Sequence, residues 1–187
     1  MHVTANLTNH FLIAMPALAD PNFFHTVTYI CEHNANGAMG LVVNRPLDLQ
    51  FHELLAHLDL ETHDPELAQL VIYQGGPVQT ERGFVLHSND GEWDASIQVT
   101  DALVVTMSQD IIEAIALGEG PRQYLITLGY AGWGEGQLEE ELASNAWLNG
   151  PAEASIMFDL PVAQRWSAAA AHLGVELSRL STDVGHA

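Results

Sequence analysis

Short apolar runs separated by turn-forming residues recur along the whole chain. Phe11–Met15 is wholly apolar and suits a buried strand. Thr26–His33 is rich in β-branched and aromatic residues and reads as a second strand. A period of two would put Val27, Tyr29, Cys31 and His33 on one face, with Thr26, Thr28, Ile30 and Glu32 on the other. Asn34-Ala35-Asn36-Gly37 tolerates positive φ, so a hairpin returns the chain through Ala38–Asn44 and ends at Arg45-Pro46. Phe51, Leu54, Leu55 and Leu58 recur at helical spacing behind a cap at Asp48 or Gln50. Short strands are predicted at Val71–Gln74, Gly83–His87, Ser96–Thr100 and Ala102–Met107.

Ser108 caps an amphipathic helix that Gly118 stops. Arg122–Leu128 reads as a strand and Gly129–Gly136 as a glycine-rich loop. Gln137–Ser144 reads as an acidic helix, Trp147–Pro151 as a loop and Ala154–Phe158 as a strand. A last helix runs to His172, and the tail over 175–187 is partly extended. Strands and helices mix without regular βαβ alternation, which argues an α+β fold, mostly antiparallel, in a single domain over 1–187.

Composition narrows the function classes. The 187 residues are 48% hydrophobic, enough for a full core. Five arginines, no lysine and 24 acids give a formal net charge of −19. Duplex DNA binding needs cations that displace counterions, so direct nucleic-acid contact is disfavoured, as is an anionic membrane surface. One cysteine forms no internal disulfide and fits a reducing compartment. Phe11–Ala19 ends in Ala-x-Ala, but no Lys or Arg precedes it and Pro16 interrupts it, so it does not read as a signal peptide. No apolar run approaches the roughly 20 residues needed to span a bilayer. The expected location is the cytoplasm.

Several motifs together resemble the YqgE/AlgH family of bacterial proteins. They are Asn9–Pro16, Cys31–Asn34 with Gly37–Pro46, Gly75–Val78 with Arg82–His87, Leu128–Trp133 with Gly136–Glu139, Trp147-Leu148, Arg165-Trp166 and Gly185–Ala187. The resemblance covers essentially the whole chain. It implies a small closed β-barrel or bifurcated mixed sheet surrounded by short helices. The family is largely uncharacterised. Some members are labelled regulators of transcription or of exopolysaccharide production, and no catalytic residue is carried over.

Candidate chemistry concentrates at the hairpin. Cys31 and His33, two apart on a strand, would make a reactive thiol if imidazolium lowered its pKa. A free cysteine is otherwise a small buried hydrophobe. Asn34 and Glu32 lie at the tip, Asn44 and Arg45 at the open end. Arg45 and Arg82 either form a structural ion pair or backbone-carbonyl clamp, or recognise an anion through the planar guanidinium. Gly129–Gly136 matches neither a P-loop nor a dinucleotide fingerprint, so a tight turn against Trp133 is the simpler reading. Glu139–Glu141 reads as a solvated face. The ten histidines show no metal-ligand spacing, and no cofactor is implied.

The sequence assembles no nucleophile, base and oxyanion set. The first reading is therefore a non-enzymatic protein acting through an unidentified protein partner or small ligand, with any regulation of gene expression indirect. The alternative is an enzyme or redox or small-molecule sensor. Its pocket would lie near Cys31, His33, Asn44, Arg45, Arg82 and His87.

Overall fold

The computed structural model of the chain describes residues 6–177, apart from 17 and 19. The extended tail expected over 175–187 lies outside them from 178 onward, and so does most of the polar lead-in. The chain begins with β1 (His10–Ala14), β2 (Val27–Asn34), β3 (Gly37–Val42), β4 (Pro46–Gln50), α1 (Phe51–His57) and α2 (Pro65–Ala68). It continues with β5 (Val71–Gln74), β6 (Val78–Ser88), β7 (Ser96–Gln98), β8 (Leu103–Thr106), α3 (Gln109–Ala116) and β9 (Tyr124–Trp133). It ends with α4 (Gln137–Ala143), β10 (Trp147–Pro151), α5 (Ala154–Phe158) and α6 (Arg165–His172). Every strand pairing is antiparallel except β5 with β9. The fold is α+β with a mixed, mostly antiparallel sheet, as the sequence predicts.

The chain divides into two compact units. The first joins Met1–Asn44 to Ala131–Ala187; the second is Arg45–Tyr130. β9 belongs to both, and its partners change along its length. Residues 124–130 pair with β6, with β5 alongside at Thr127 and Leu128, whereas Ala131–Trp133 pair with β3. That change of partner is the bifurcation the family resemblance implies.

In the first unit the order is β10, β1, β2, β3 and the end of β9. One face carries Leu12, Ala14, Ile30, Ala131, Trp133 and Trp147, covered by Leu138 of α4. On the other face Phe11 meets Tyr29 edge-on, at 6.5 Å between centroids. Two anchors come from α6, the buried Arg165 and the partly buried Trp166. Arg165 donates Nη1 to the Val43 carbonyl at 2.6 Å and Nε to Leu160, and Trp166 Nε1 donates to Ala14 at 3.1 Å. In the second unit β9, β6, β8 and β7 form a sheet whose core includes Ile72, Val85 and Ile126, with Phe51 and Leu55 of α1 and Ile111, Ile112 and Ile115 of α3.

Four local expectations change. Trp147–Pro151 is a strand: Asn149, Gly150 and Pro151 look like a turn, but they pair with Leu12, Phe11 and His10 of β1. Proline at the end of the strand disturbs little of the ladder. Ala154–Phe158 is a helix; a five-residue, mostly apolar segment does not distinguish the two, and burial of Ile156 and Met157 is served either way. Gly129–Trp133 continues β9 rather than looping, with Gly129 at φ +77° where a side chain would meet the Gly76 and Val78 carbonyls. Lastly, a bulge lies in β2. Ile30 pairs with Gly40 and Glu32 with Met39, so Cys31 has no opposite number. The extra residue inverts the alternation, and His33, opposite Ala38, moves to the face of Thr28 and Ile30.

Candidate functional site at the hairpin tip

The β2–β3 hairpin owes its close packing to Gly37. Its φ of +137° and the proximity of the Trp133 carbonyl leave no room for a Cβ. Asn34 Oδ1 accepts from Asn36 N at 2.8 Å, closing the tip as an Asx turn. At the open end Asn44 is a clamp: Oδ1 accepts from Val27 N at 2.8 Å and Nδ2 donates to the His25 carbonyl at 2.9 Å.

His33 is buried, and both ring nitrogens are engaged. Nδ1 lies 2.9 Å from Leu7 N, which donates to it. An Nδ1 that accepts carries no proton, so the proton sits on Nε2, which donates to Glu139 Oε1 at 2.7 Å. That bond from His33 holds the Glu139 carboxyl below its usual range. Glu141 accepts from Trp147 Nε1 at 3.1 Å and Trp133 Nε1 at 3.3 Å. Two of the three glutamates expected on a solvated face are therefore hydrogen-bond acceptors that hold α4 against the sheet. A sequence signal for Glu141 existed, since indole N–H groups usually find an acceptor when buried.

Cys31 is 2% exposed, its Sγ 3.7 Å from the Tyr29 carbonyl. Burial pushes the thiol pKa well up, and the Glu32 charge adds to it. The thiol is neutral and inaccessible, the reverse of an activated nucleophile. The bulge separates Cys31 from the face that carries His33.

In the second unit, the Arg45 carbonyl accepts from Gln74 N at 2.8 Å, tying the unit's first residue to β5. Arg82 Nη1 lies 3.4 Å from Gln79 Oε1, and its guanidinium lies 5.7 Å from the centroid of Phe84. His87 is fully buried. Nδ1 is 2.7 Å from the Ser88 carbonyl and therefore donates, leaving Nε2 to accept from Thr106 Oγ1 at 2.7 Å. Burial lowers its pKa, against smaller opposing effects of the Ser88 bond and the Asp90 charge. His33 and Cys31 in the first unit and His87 in the second are buried parts of the scaffold.

One open pocket stands at the hairpin tip, with a volume of about 650 Å³. Asn6, His33, Asn34, Glu135, Gly136 and Glu139 line it. Asn6 Oδ1 accepts from Thr8 N, and Asn34 Oδ1 is used in the tip turn. The two amides therefore keep N–H donors, while Glu135 and the outer oxygen of Glu139 supply negative charge. The arrangement suits a polar ligand with a cationic group; it contains no activated nucleophile.

The AlgH-like family model, DUF179, matches residues 11–178. The chain belongs to the AlgH-like family. It is 58% identical over its full length, and over all of that relative, to a UPF0301 protein of Thioalkalivibrio sulfidiphilus. It is 57% identical to one from Pseudomonas entomophila, over 97% of this chain and 96% of that one. The solution structure of the AlgH protein from Pseudomonas aeruginosa is similar throughout, with a TM-score of 0.81 at 52% identity and full coverage of both chains. A Corynebacterium diphtheriae protein shares the fold at 19% identity, with a TM-score of 0.74 over 97% of this chain and 94% of that one. Among the described residues of this AlgH-like chain, no helix is long and apolar enough to cross a membrane.

Proposed function

We propose that this AlgH-like protein is a cytoplasmic, non-enzymatic binding protein that acts through a protein partner or small ligand held at the hairpin tip, any effect on gene expression being indirect. The observation that carries the reading is the engagement of His33. Its two nitrogens are used to orient Glu139 toward an open polar pocket, which is the arrangement of a recognition site rather than of a general base. The charge supports the indirect part: 24 acids face five arginines, and Arg165 is buried against carbonyls.

The test places a photoreactive residue at the exposed Ala35 in living bacteria. The expected result is a discrete adduct that weakens when Glu139→Gln is combined with the probe. Absence of any adduct, or an adduct indifferent to Glu139, sinks the tip as the recognition site. A salt-dependent mobility shift with duplex DNA would falsify the indirect part.

A further inference from the structure

The second unit contains a pocket of about 190 Å³, walled by Leu54 of α1, Leu58 at its C-cap, Ile112 of α3, Met107 and Leu128. That is smaller than the roughly 300–1,000 Å³ of drug-sized sites, so it suits a small ligand. Gly83 also lines it, and nothing local explains the glycine. Gly83 has no positive φ, and a Cβ built on it would meet no atom within 4 Å. It sits in β6, where a β-branched residue would be favoured. Its missing side chain leaves the pocket open.

The segment before Gly83 supplies the charge. Val78 stands opposite Tyr130 and Gly83 opposite Leu128, so five steps along β6 match two along β9. Residues 79–82 therefore leave the ladder, starting with Gln79 at φ +48°, a left-handed conformation that costs a non-glycine residue energy. The excursion delivers Glu81 to the pocket. Among the described residues Glu81 takes part in no ion pair or side-chain hydrogen bond. Other polar groups of the lining are partly engaged. Ser108 Oγ donates to Asp110 and accepts from Ala95 N, and Gln109 Nε2 donates to Glu113. Asp110 also accepts from Ile111 N, so a carboxylate already fills the start of α3 and disfavours an anion there.

We propose that this pocket binds a short-chain aliphatic amine as its ammonium, the alkyl chain among Leu54, Leu58, Met107, Ile112 and Leu128 and the cationic head on Glu81. Strain at Gln79, an unexplained glycine at 83 and an unpaired carboxylate then serve one purpose. The site is independent of the hairpin-tip reading and stands if that reading fails.

The test is a titration of the isotope-labelled full chain, followed by amide NMR, with n-hexylammonium, n-butylammonium, n-hexanol and hexanoate. Hexylammonium is expected to move the signals of Gly83, Met107 and Gln109. It should bind more tightly than hexanol, with hexanoate weakest. Affinity should rise about fourfold per added methylene, hence about 15-fold from butyl to hexyl. Gly83→Val should abolish binding while preserving the spectrum, and Glu81→Gln should erase the preference for ammonium over alcohol. Hexanoate binding as tightly as hexylammonium, or shifts confined to other residues, would overturn the proposal. So would full binding by a folded Gly83→Val. If that variant does not fold, Glu81→Gln decides alone, since an unchanged ammonium preference is fatal.

Discussion

At the scale of single residues, the bulge in β2 decides how Cys31 and His33 behave. The sequence shows both residues and their spacing, and a regular strand would have aligned them. A bulge leaves no reliable mark in a stretch such as Tyr-Ile-Cys-Glu-His, because it is set by pairing with the distant β3. Native Cys31 should therefore resist alkylation at pH 8 and label rapidly once the chain is unfolded; fast native labelling would show that the thiol is exposed. His87 carries the pH dependence. Its pKa in the fold lies below the roughly 6.5 of an unfolded chain, so between those two values the unfolded state holds more protons. Unfolding free energy should be constant just above about pH 6.5 with respect to this group and decline as pH falls below it. Glu139, also lowered, adds a second decline beneath about pH 4.3. Denaturation at a series of pH values checks both windows, since His87→Gln should reduce the first decline and Glu139→Gln should reduce the second, which Asp90 and Asp110, also lowered, share.

At the scale of elements, α4 is held by polar bonds as much as by Leu138. Glu141→Ala would leave two buried indole N–H groups without an acceptor, costing about 1–3 kcal/mol. For a chain of this size each kcal/mol lowers Tm by about 2–4 °C. Thermal unfolding with near-ultraviolet dichroism would read both the loss and the disturbed Trp133 and Trp147 environment. Gly37→Ala should cost about 1–3 kcal/mol through strain at positive φ, before counting the clash with the Trp133 carbonyl. Elements with strong local signals were legible in the sequence: the hairpin turn at Asn34–Gly37, the amphipathic α3, and α1, where Glu53 accepts from Gln50 N at the cap. Those fixed by partners far along the chain were not. β10 is a strand because β1 lies beside it, and Gly129 belongs to β9 because the neighbouring carbonyls need the space.

At the scale of the whole molecule, charge outweighs every other surface property. A net −19 makes the folded chain repel itself, so added salt should raise Tm by screening. A scan from 10 mM to 500 mM sodium chloride tests this, and a flat or falling Tm would mean that the acids are locally compensated. The candidate residues divide in the same way as the chain. Their types are visible in the sequence, but their hydrogen-bond partners come from segments far away, as Glu139 does for His33 across 106 positions.

The division of the chain also bears on synthesis. Arg45–Tyr130 is one uninterrupted stretch and leaves the ribosome whole, whereas the other unit needs β1 to wait for β10 and for the Trp166 bond to Ala14. β1 is made before the second unit and its partner β10 after it. During that interval Phe11–Ala14 has β2 on one side and an open edge on the other, in a fully apolar strand, the kind of surface that holding chaperones protect and that aggregates when they are scarce. Nascent chains stalled once Tyr130 has cleared the ribosomal exit tunnel should thus show protease resistance across Arg45–Tyr130 and none across Phe11–Ala14, an inversion of the order in which the two segments are made.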